Sequence, residues 1–334
     1  MELIREVLKS YGIYPHDIQP ITNSLYYVKD YQSEYAVKRS KLTSETLRNW
    51  EYVYHQAYQN NFTDILPVYL TNQQKLYEPK GDYFYYVMPW INETREIPQL
   101  GAAFRSIGHI HAKTKRTQSI KGPSIKKQFQ SYQTTCESIE KKLLYYVEQF
   151  EQKRYMSPFE LLVCTQYRDL VQVNRILKQR LGQFVETLDE KEEWKYSLCH
   201  GRLHPSHILS SNQTMIINWE YASLNNPIID LYYFMNQYAQ HYDREAKPLL
   251  DKFDIYTDEN SLDEDELFLL IIYLLDLKPY FDLVEQYEQG ATKKSMVHQT
   301  QQLQQVHRQL MFGLQFSAYV EEKYEMIDLE DLES

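Results

Sequence analysis

The chain has 334 residues, 43% of them hydrophobic and 25% charged. That suffices for one large domain or two modest ones and excludes collagen-like, disordered and small disulfide-scaffold classes. Lys and Arg number 36 against 46 Asp and Glu, a formal net charge of -10, so a general nucleic-acid binder is disfavoured because the phosphate backbone would repel it. There are 31 tyrosines and only 9 glycines. Few positions are therefore free to adopt positive φ, which bears on any phosphate-binding loop.

In chain order, residues 2–10 read as a short amphipathic helix ending at Gly12. Tyr- and Val-rich extended segments follow at 25–28, 35–38, 65–70, 75–78 and 83–88, punctuated by Asn, Asp, Gly and Pro. One helix interrupts them at 44–59, with Leu47, Trp50, Val53 and Tyr54 at helical spacing. Strands around a single helix predict a small antiparallel sheet with that helix against it. After Pro89 the pattern turns helical, over 97–113, 128–152 and 158–188, and again from about 220 to 322. The basic segment 114–127, with its Gly-Pro pair, reads as an exposed loop. The apolar run 267–275 (LFLLIIYLL) is about half of what a bilayer requires and reads as a buried helix. The N-terminus lacks the apolar core of a signal peptide. The acidic end, 327–334, is expected to fray.

The segment 197–234 concentrates the chemistry. It reads SLCHGRLHPSHILSSNQTMIINWEYASLNNPIIDLYYF, that is, loop, strand, tight turn, strand, loop. It resembles the catalytic segment of the aminoglycoside phosphotransferase and choline kinase superfamily, whose pattern is H-G-D-x-H-x-x-N followed by a D-W-E type motif. Here the matching stretches are HGRLHPSH (200–207) and NWE (218–220), with Asp230 resembling the structural aspartate beyond them. Upstream, AVK (36–38) makes Lys38 resemble the phosphate-pairing lysine, and Glu51 its ion-pair partner. YYVMPWI (85–91), with Met88, resembles the hinge between lobes, and IGHIHAKT (107–114) a helix end early in the large lobe. More narrowly, the length, the tyrosine content and the altered HG-x-L-x-P-S-H segment resemble the CotS-type branch of spore coat proteins.

The resemblance implies an α+β, two-lobed protein-kinase-like fold. Its small antiparallel-sheet lobe covers 1–88, and a larger mainly helical lobe covers 89–334 and contains the catalytic loop at 197–220. In the family pattern Asp, Asn and Asp, formally -2, supply the base and the metal ligands for Mg-ATP. Here those positions hold Arg202, His207 and Asn218, formally +1 with His neutral. Arg cannot accept a proton, imidazole suits hard Mg²⁺ poorly, and a neutral amide offers no charge. The turn at 22–25 (TNSL) has no glycine to let a backbone approach phosphates.

Milder readings stand beside these. Lys38 with Glu51 is equally a helix-to-sheet brace, and His200 a brace of its own loop. Cys199, His200, His204 and His207 fit no zinc spacing, and Cys199 has no evident orienting group for nucleophilic chemistry. Glu220 is weighed as a substitute base or ligand. Three cysteines, Cys136, Cys164 and Cys199, cannot all pair and read as reduced thiols. Paired tyrosines such as Tyr26–Tyr27 and Tyr145–Tyr146 are half-buried or suit adhesion and cross-linking. The resulting expectation is a pseudokinase of the spore coat, made in the mother-cell cytoplasm, with coat proteins as partners and neither nucleic acid nor a membrane span. It has no catalytic residues, no metal and no cofactor; Lys38, Glu51 and Met88 mark a cleft open to ATP without metal. The alternatives are an atypical small-molecule kinase and a metal-independent nucleotide- or anion-binding module using Lys38 and Arg202. Arg202 is expected to pair with Glu220 or Asp230, or to hold an anion.

Overall fold

The structure is a computed structural model and describes residues 1–92, 99–119, 122–188, 191, 193–241 and 245–325. The chain divides into two compact units, Met1–Arg116 with Tyr196–Asp230 and Asp258–Asn260, and Thr117–Lys195 with Leu231–Thr257 and Ser261–Ser334.

The first unit is built on an antiparallel sheet. Its strands are β1 (Asp17–Pro20), β2 (Leu25–Lys29), β3 (Glu34–Ser40), β4 (Glu78–Lys80) and β5 (Tyr83–Pro89), in the order β1-β2-β3-β5-β4. Side chains alternate across a strand, and this alternation gives the sheet two distinct faces. Val28, Val37, Tyr85 and Val87 pack with Ile4, Val7 and Leu8 of the helix Glu2–Lys9 into one buried cluster. Ala36 pairs with Met88 and Lys38 with Tyr86 in the register of β3 and β5, so these side chains share the opposite face. There the helix Ser44–Asn60 contributes Trp50, whose ring lies 5.0 Å from that of Tyr86. That helix begins at a capping box on Thr43 and ends on Asn61 in the left-handed region.

Segments 25–28, 35–38 and 83–88 fall within strands, whereas 65–70 does not. Pro67 lacks the donor a ladder needs, and the segment runs extended with one bridge, Ile65 to Ile216, and a Tyr69 N–H bond to the Val87 carbonyl. Strand β1 is additional to those expected, and β4 lies later than the segment 75–78.

The expected lobe boundary at residue 88 is not where the first unit ends. Helix Leu100–Thr114 and residues 196–230 belong to it. The Ile208–Ser210 and Thr214–Ile216 hairpin is tied to the preceding chain, with Leu66 N–H donating to the Ile216 carbonyl at 3.1 Å and Ile216 N–H to the Asp64 carbonyl at 2.7 Å. The strand end 197–199 pairs antiparallel with Ser223–Asn225.

The second unit is helical. Gly122–Glu151 and Pro158–Thr187 form a long pair, the latter capped by Ser157 and Glu160. The apolar run lies in Glu264–Leu274, where Leu267 to Ile272 are all buried and packed between Pro158–Thr187 and Met296–Val320. The exposed loop expected over 114–127 is replaced by a short strand, Arg116–Ser119, and the start of a helix at Gly122. The Gly-Pro pair stands in that helix's first turn, where a missing N–H costs nothing. The acidic segment 327–334 lies outside the described residues. Among the described residues no helix is long and apolar enough to cross a membrane.

Gly201 has φ +77°, and a Cβ there would lie 2.2 Å from the Tyr221 carbonyl oxygen. Gly201→Ala is therefore expected to lose at least about 2 kcal/mol of stability, from left-handed strain and a backbone clash together. A urea titration checks this as a lowered midpoint with an unchanged m-value.

Candidate functional site

A cleft of about 570 Å³ opens within the first unit, with sheet residues Leu25, Ala36 and Met88 and hairpin-side residues Leu209 and Ile217 among its walls. Its lining carries one charged side chain among the described residues, Lys38, and no carboxylate. β3 delivers Lys38 to this face because Val37 before it is turned into the core.

Lys38 Nζ lies 2.6 Å from Glu220 Oε1 and donates to Asn218 Oδ1 at 2.5 Å. Tyr86 O–H donates to the same carboxylate at 2.7 Å. Burial pushes the Glu220 carboxyl up, but the Lys38 charge and the hydrogen bonds from Lys38 and Tyr86 outweigh it and hold the group below its ordinary 4.5. Burial, then the Glu220 charge, raises the Tyr86 hydroxyl, which stays protonated as a donor.

The expected partner of Lys38, Glu51, is not its partner. Glu51 is half-buried on the helix Ser44–Asn60 and faces the Tyr77 hydroxyl. The carboxylate that comes to Lys38 arrives instead on the single 3₁₀ turn Trp219–Tyr221, after Asn218 takes up φ +69°. Asn tolerates the left-handed region better than most residues, which lets the chain turn there. Glu220 was legible as a nearby acid; its pairing with a lysine on a distant strand was not.

The three altered positions have different surroundings. Asn218 lines the cleft. His207 stacks on His200 with ring centroids 5.1 Å apart, and its Nδ1 is buried without a hydrogen-bond partner. Burial, with the charges of His200, His204 and Lys38, drives His207 down to about 3, so it is a neutral imidazole at neutral pH. Arg202 is exposed, and its guanidinium lies 5.1 Å over the Tyr221 ring. The expected Arg202 pairing with Glu220 or Asp230 is thus absent, because Lys38 holds the first and the loop backbone holds the second.

Asp230 accepts the N–H of His200 at 2.6 Å and that of Gly201 at 2.8 Å, and His111 Nε2 lies 3.2 Å away. His200 completes the brace. Its Nδ1 accepts the Arg202 N–H and its Nε2 donates to the Ile217 carbonyl at 2.9 Å. Burial lowers His200, which keeps this neutral tautomer. The histidines and cysteine adjacent in sequence do not form a metal group. Among the described residues, the ligand atoms that do come within 4.8 Å of one another are those of His111, Cys199 and Asp230. The Asp230 carboxylate is already committed to two backbone donors, and burial, then Asp230 itself, pushes the Cys199 thiol up, away from the thiolate a metal needs.

The turn corresponding to a phosphate loop is closed on itself. Thr22 Oγ1 accepts the Ser24 N–H, Thr22 N–H donates to the Leu25 carbonyl, and Arg39 Nη2 donates to the Asn23 carbonyl at 2.7 Å.

Kinase-type architecture, a half-buried lysine facing a cleft and an Asp-braced His-Gly loop are what a phosphotransferase scaffold requires, and the model of the Phosphotransferase enzyme family matches residues 19–263. The chain belongs to that family. The aminoglycoside phosphotransferase of Alicyclobacillus acidocaldarius has a similar structure, with a TM-score of 0.73, 16% identity and 96% of each chain covered. A spectinomycin phosphotransferase in an AMP-bound complex has a TM-score of 0.59 and 15% identity over 94% of this chain and 96% of that one. An amicoumacin kinase complexed with AMP-PNP and Ca²⁺ gives 0.55 and 15% over 92% of each. No curated protein matches the sequence.

Lys38→Met should leave a buried, uncompensated carboxylate and cost about 3–5 kcal/mol at neutral pH. In the unaltered chain the stabilisation from ionised Glu220 is complete above 4.5 and lost as pH falls through its lowered folded value. Without Lys38, burial raises that value above the unfolded one, so the deficit of the variant should shrink on acidification. Denaturant titrations of both proteins between neutral pH and pH ~4 would reveal this convergence; a deficit that stays constant would rule out the pair as its source.

Proposed function

We propose that this chain is a catalytically silent member of its family and serves as a structural or assembly protein of the bacterial spore coat. The observation that carries the first half is that the cleft has no carboxylate among its described lining residues. Mg²⁺ requires hard oxygen ligands, and in-line phosphoryl transfer requires a group to receive the hydroxyl proton. The carboxylate nearest the site, Glu220, is buried and bound to Lys38 and Tyr86. Arg202, at the base position, stacks outward on Tyr221. The residues present do not fit a magnesium nucleotide.

The coat assignment rests on the sequence likeness to the CotS-type branch, which includes the YsxE and YutH coat proteins. It is supported by exposed tyrosines such as Tyr31 at 91%, Tyr58 at 87% and Tyr155 at 80%, side chains suited to adhesive interfaces. On this reading the protein is made in the mother-cell cytoplasm, joins the coat and binds other coat proteins.

A second reading, an atypical small-molecule kinase, is favoured by Lys38 at the cleft and by the spectinomycin and amicoumacin kinases among the similar folds. Thermal shift with ATP separates the two. We expect no Mg²⁺-dependent stabilisation, whereas a ligand at 100 times its Kd would add about 2.7 kcal/mol. The triple change Arg202→Asp, His207→Asn, Asn218→Asp should introduce Mg²⁺ binding that Arg202→Asp alone does not. Phosphotransfer by the unaltered protein, abolished by Lys38→Ala, would establish the kinase. Recovery of the protein in the coat fraction of purified spores tests the location.

A further inference from the structure

Away from the cleft, the first helix and the loop that follows it build a second concavity. It measures about 350 Å³, and Arg5, Lys9, Tyr14, His16 and Tyr31 are among its lining residues. Three of these are basic, and no carboxylate lines it among the described residues. In a chain of net charge -10, such a patch draws anions to a place where the overall field would turn them away.

Local structure accounts for the arrangement. Ile4, Val7 and Leu8 bury one face of the helix Glu2–Lys9 against the sheet, which leaves Arg5 and Lys9, four positions apart, together on its exposed side. Gly12 at φ +73° turns the chain back, and Ile13 N–H closes on the Leu8 carbonyl at 3.0 Å. Ile13 is buried and Tyr11 O–H donates to the Tyr85 carbonyl at 3.0 Å, so the loop is tied to the sheet. His16 N–H donates to the Lys29 carbonyl at 3.1 Å, and its ring lies 5.1 Å from that of Tyr31.

The donors are not used up internally. Arg5 Nη1 donates to the Pro15 carbonyl at 2.9 Å, which orients the guanidinium and leaves Nη2 and Nε. Neither Arg5 nor Lys9 enters an ion pair among the described residues, although Glu2 and Glu6 stand on the same helix. The carboxylate whose charge His16 meets, Asp30, is taken up by the N–H groups of Gln32 and Ser33 and by the Tyr35 hydroxyl. Three basic side chains suit an anion with three oxygens better than a carboxylate, whose two oxygens one guanidinium can satisfy. Tyr14 and Tyr31 are exposed at 70% and 91%. Ring faces left in water at the rim of a pocket are suited to receive another ring.

We infer that this pocket binds a phosphate monoester carried on a flat ring, an aryl phosphate, with Arg5 and Lys9 holding the phosphate and Tyr14 and Tyr31 the ring. A phosphotyrosine side chain on a partner protein and a small aryl phosphate offer the same chemistry. The site needs no metal and shares no lining residue with the cleft, so it stands whether or not the cleft is silent.

Isothermal titration of the full chain in EDTA tests it. The ligands are phenyl phosphate, inorganic phosphate, and one short peptide carrying phosphotyrosine, phosphoserine or glutamate at the same position. Phenyl phosphate should bind at least about tenfold more tightly than inorganic phosphate, and the phosphotyrosine peptide at least about tenfold more tightly than the other two. Lys9→Gln removes an exposed charge and should weaken both aryl phosphates about tenfold. Arg5→Gln should weaken them at least as much. Tyr31→Ala, at a side chain outside the core, should weaken phenyl phosphate about fivefold and leave inorganic phosphate unchanged. A phosphotyrosine peptide bound more tightly than phenyl phosphate supports the site with a protein as its source; one bound equally or less tightly supports it with a small molecule as its source. Equal affinity for the phosphotyrosine and glutamate peptides, affinities unmoved by Lys9→Gln, or silence of both aryl phosphates at millimolar concentration would overturn the inference. None of these outcomes bears on the silent-kinase reading, which concerns the cleft.

Discussion

The ion pair between Lys38 and Glu220 is the interaction around which the cleft is organised. It joins the middle of a sheet strand to a 3₁₀ turn 182 positions later (220 − 38), with the Tyr86 hydroxyl and the Asn218 amide closing the remaining valences. A buried pair of this kind gains little net stability over an apolar equivalent, but losing one member is costly. Its effect is therefore to fix a geometry. The 218–220 turn is held to the sheet floor, Trp219 is buried behind it with its indole N–H on the Ile216 carbonyl, and the hairpin is positioned as one wall of the cleft.

A second, independent device holds the loop opposite. Asp230 receives two consecutive backbone N–H groups, and Gly201 supplies the positive φ and the bare Cα that let the chain pass under the Tyr221 carbonyl. Both devices are built from the chain's own side chains and backbone, and neither uses the side chain of Arg202 or His207.

This separation also explains what could be seen in the sequence. Strand and helix positions are local properties, and the Tyr- and Val-rich runs and the helical spacing of Leu47, Trp50, Val53 and Tyr54 marked most of them. The His-Gly turn and Asp230 were legible because they match the family pattern in residue type and order. The partner of Lys38 was not. A lysine can be met by any acid that the tertiary fold brings near, and the family resemblance pointed to Glu51 rather than to a carboxylate on a remote turn. The direction of Arg202 was hidden for a similar reason. An aromatic face at Tyr221 competes with carboxylates for a guanidinium, and sequence spacing ranks neither. The loop expected at 114–127 failed because Gly-Pro marks either a turn or a helix start, and only the packing of the later helical residues decides between them.

The charge of a site, rather than its shape, separates the functional readings. A cleft of this size walled by Ala36, Met88 and Ile217 is compatible with a kinase, a sensor or a scaffold. An acidic lining would call for a dication and a cationic one for a phosphate. Among the described residues the charged lining residue is Lys38, and it is paired with Glu220 just outside the lining. Glu220 is paired with Lys38 and is not itself among the residues that line the cavity.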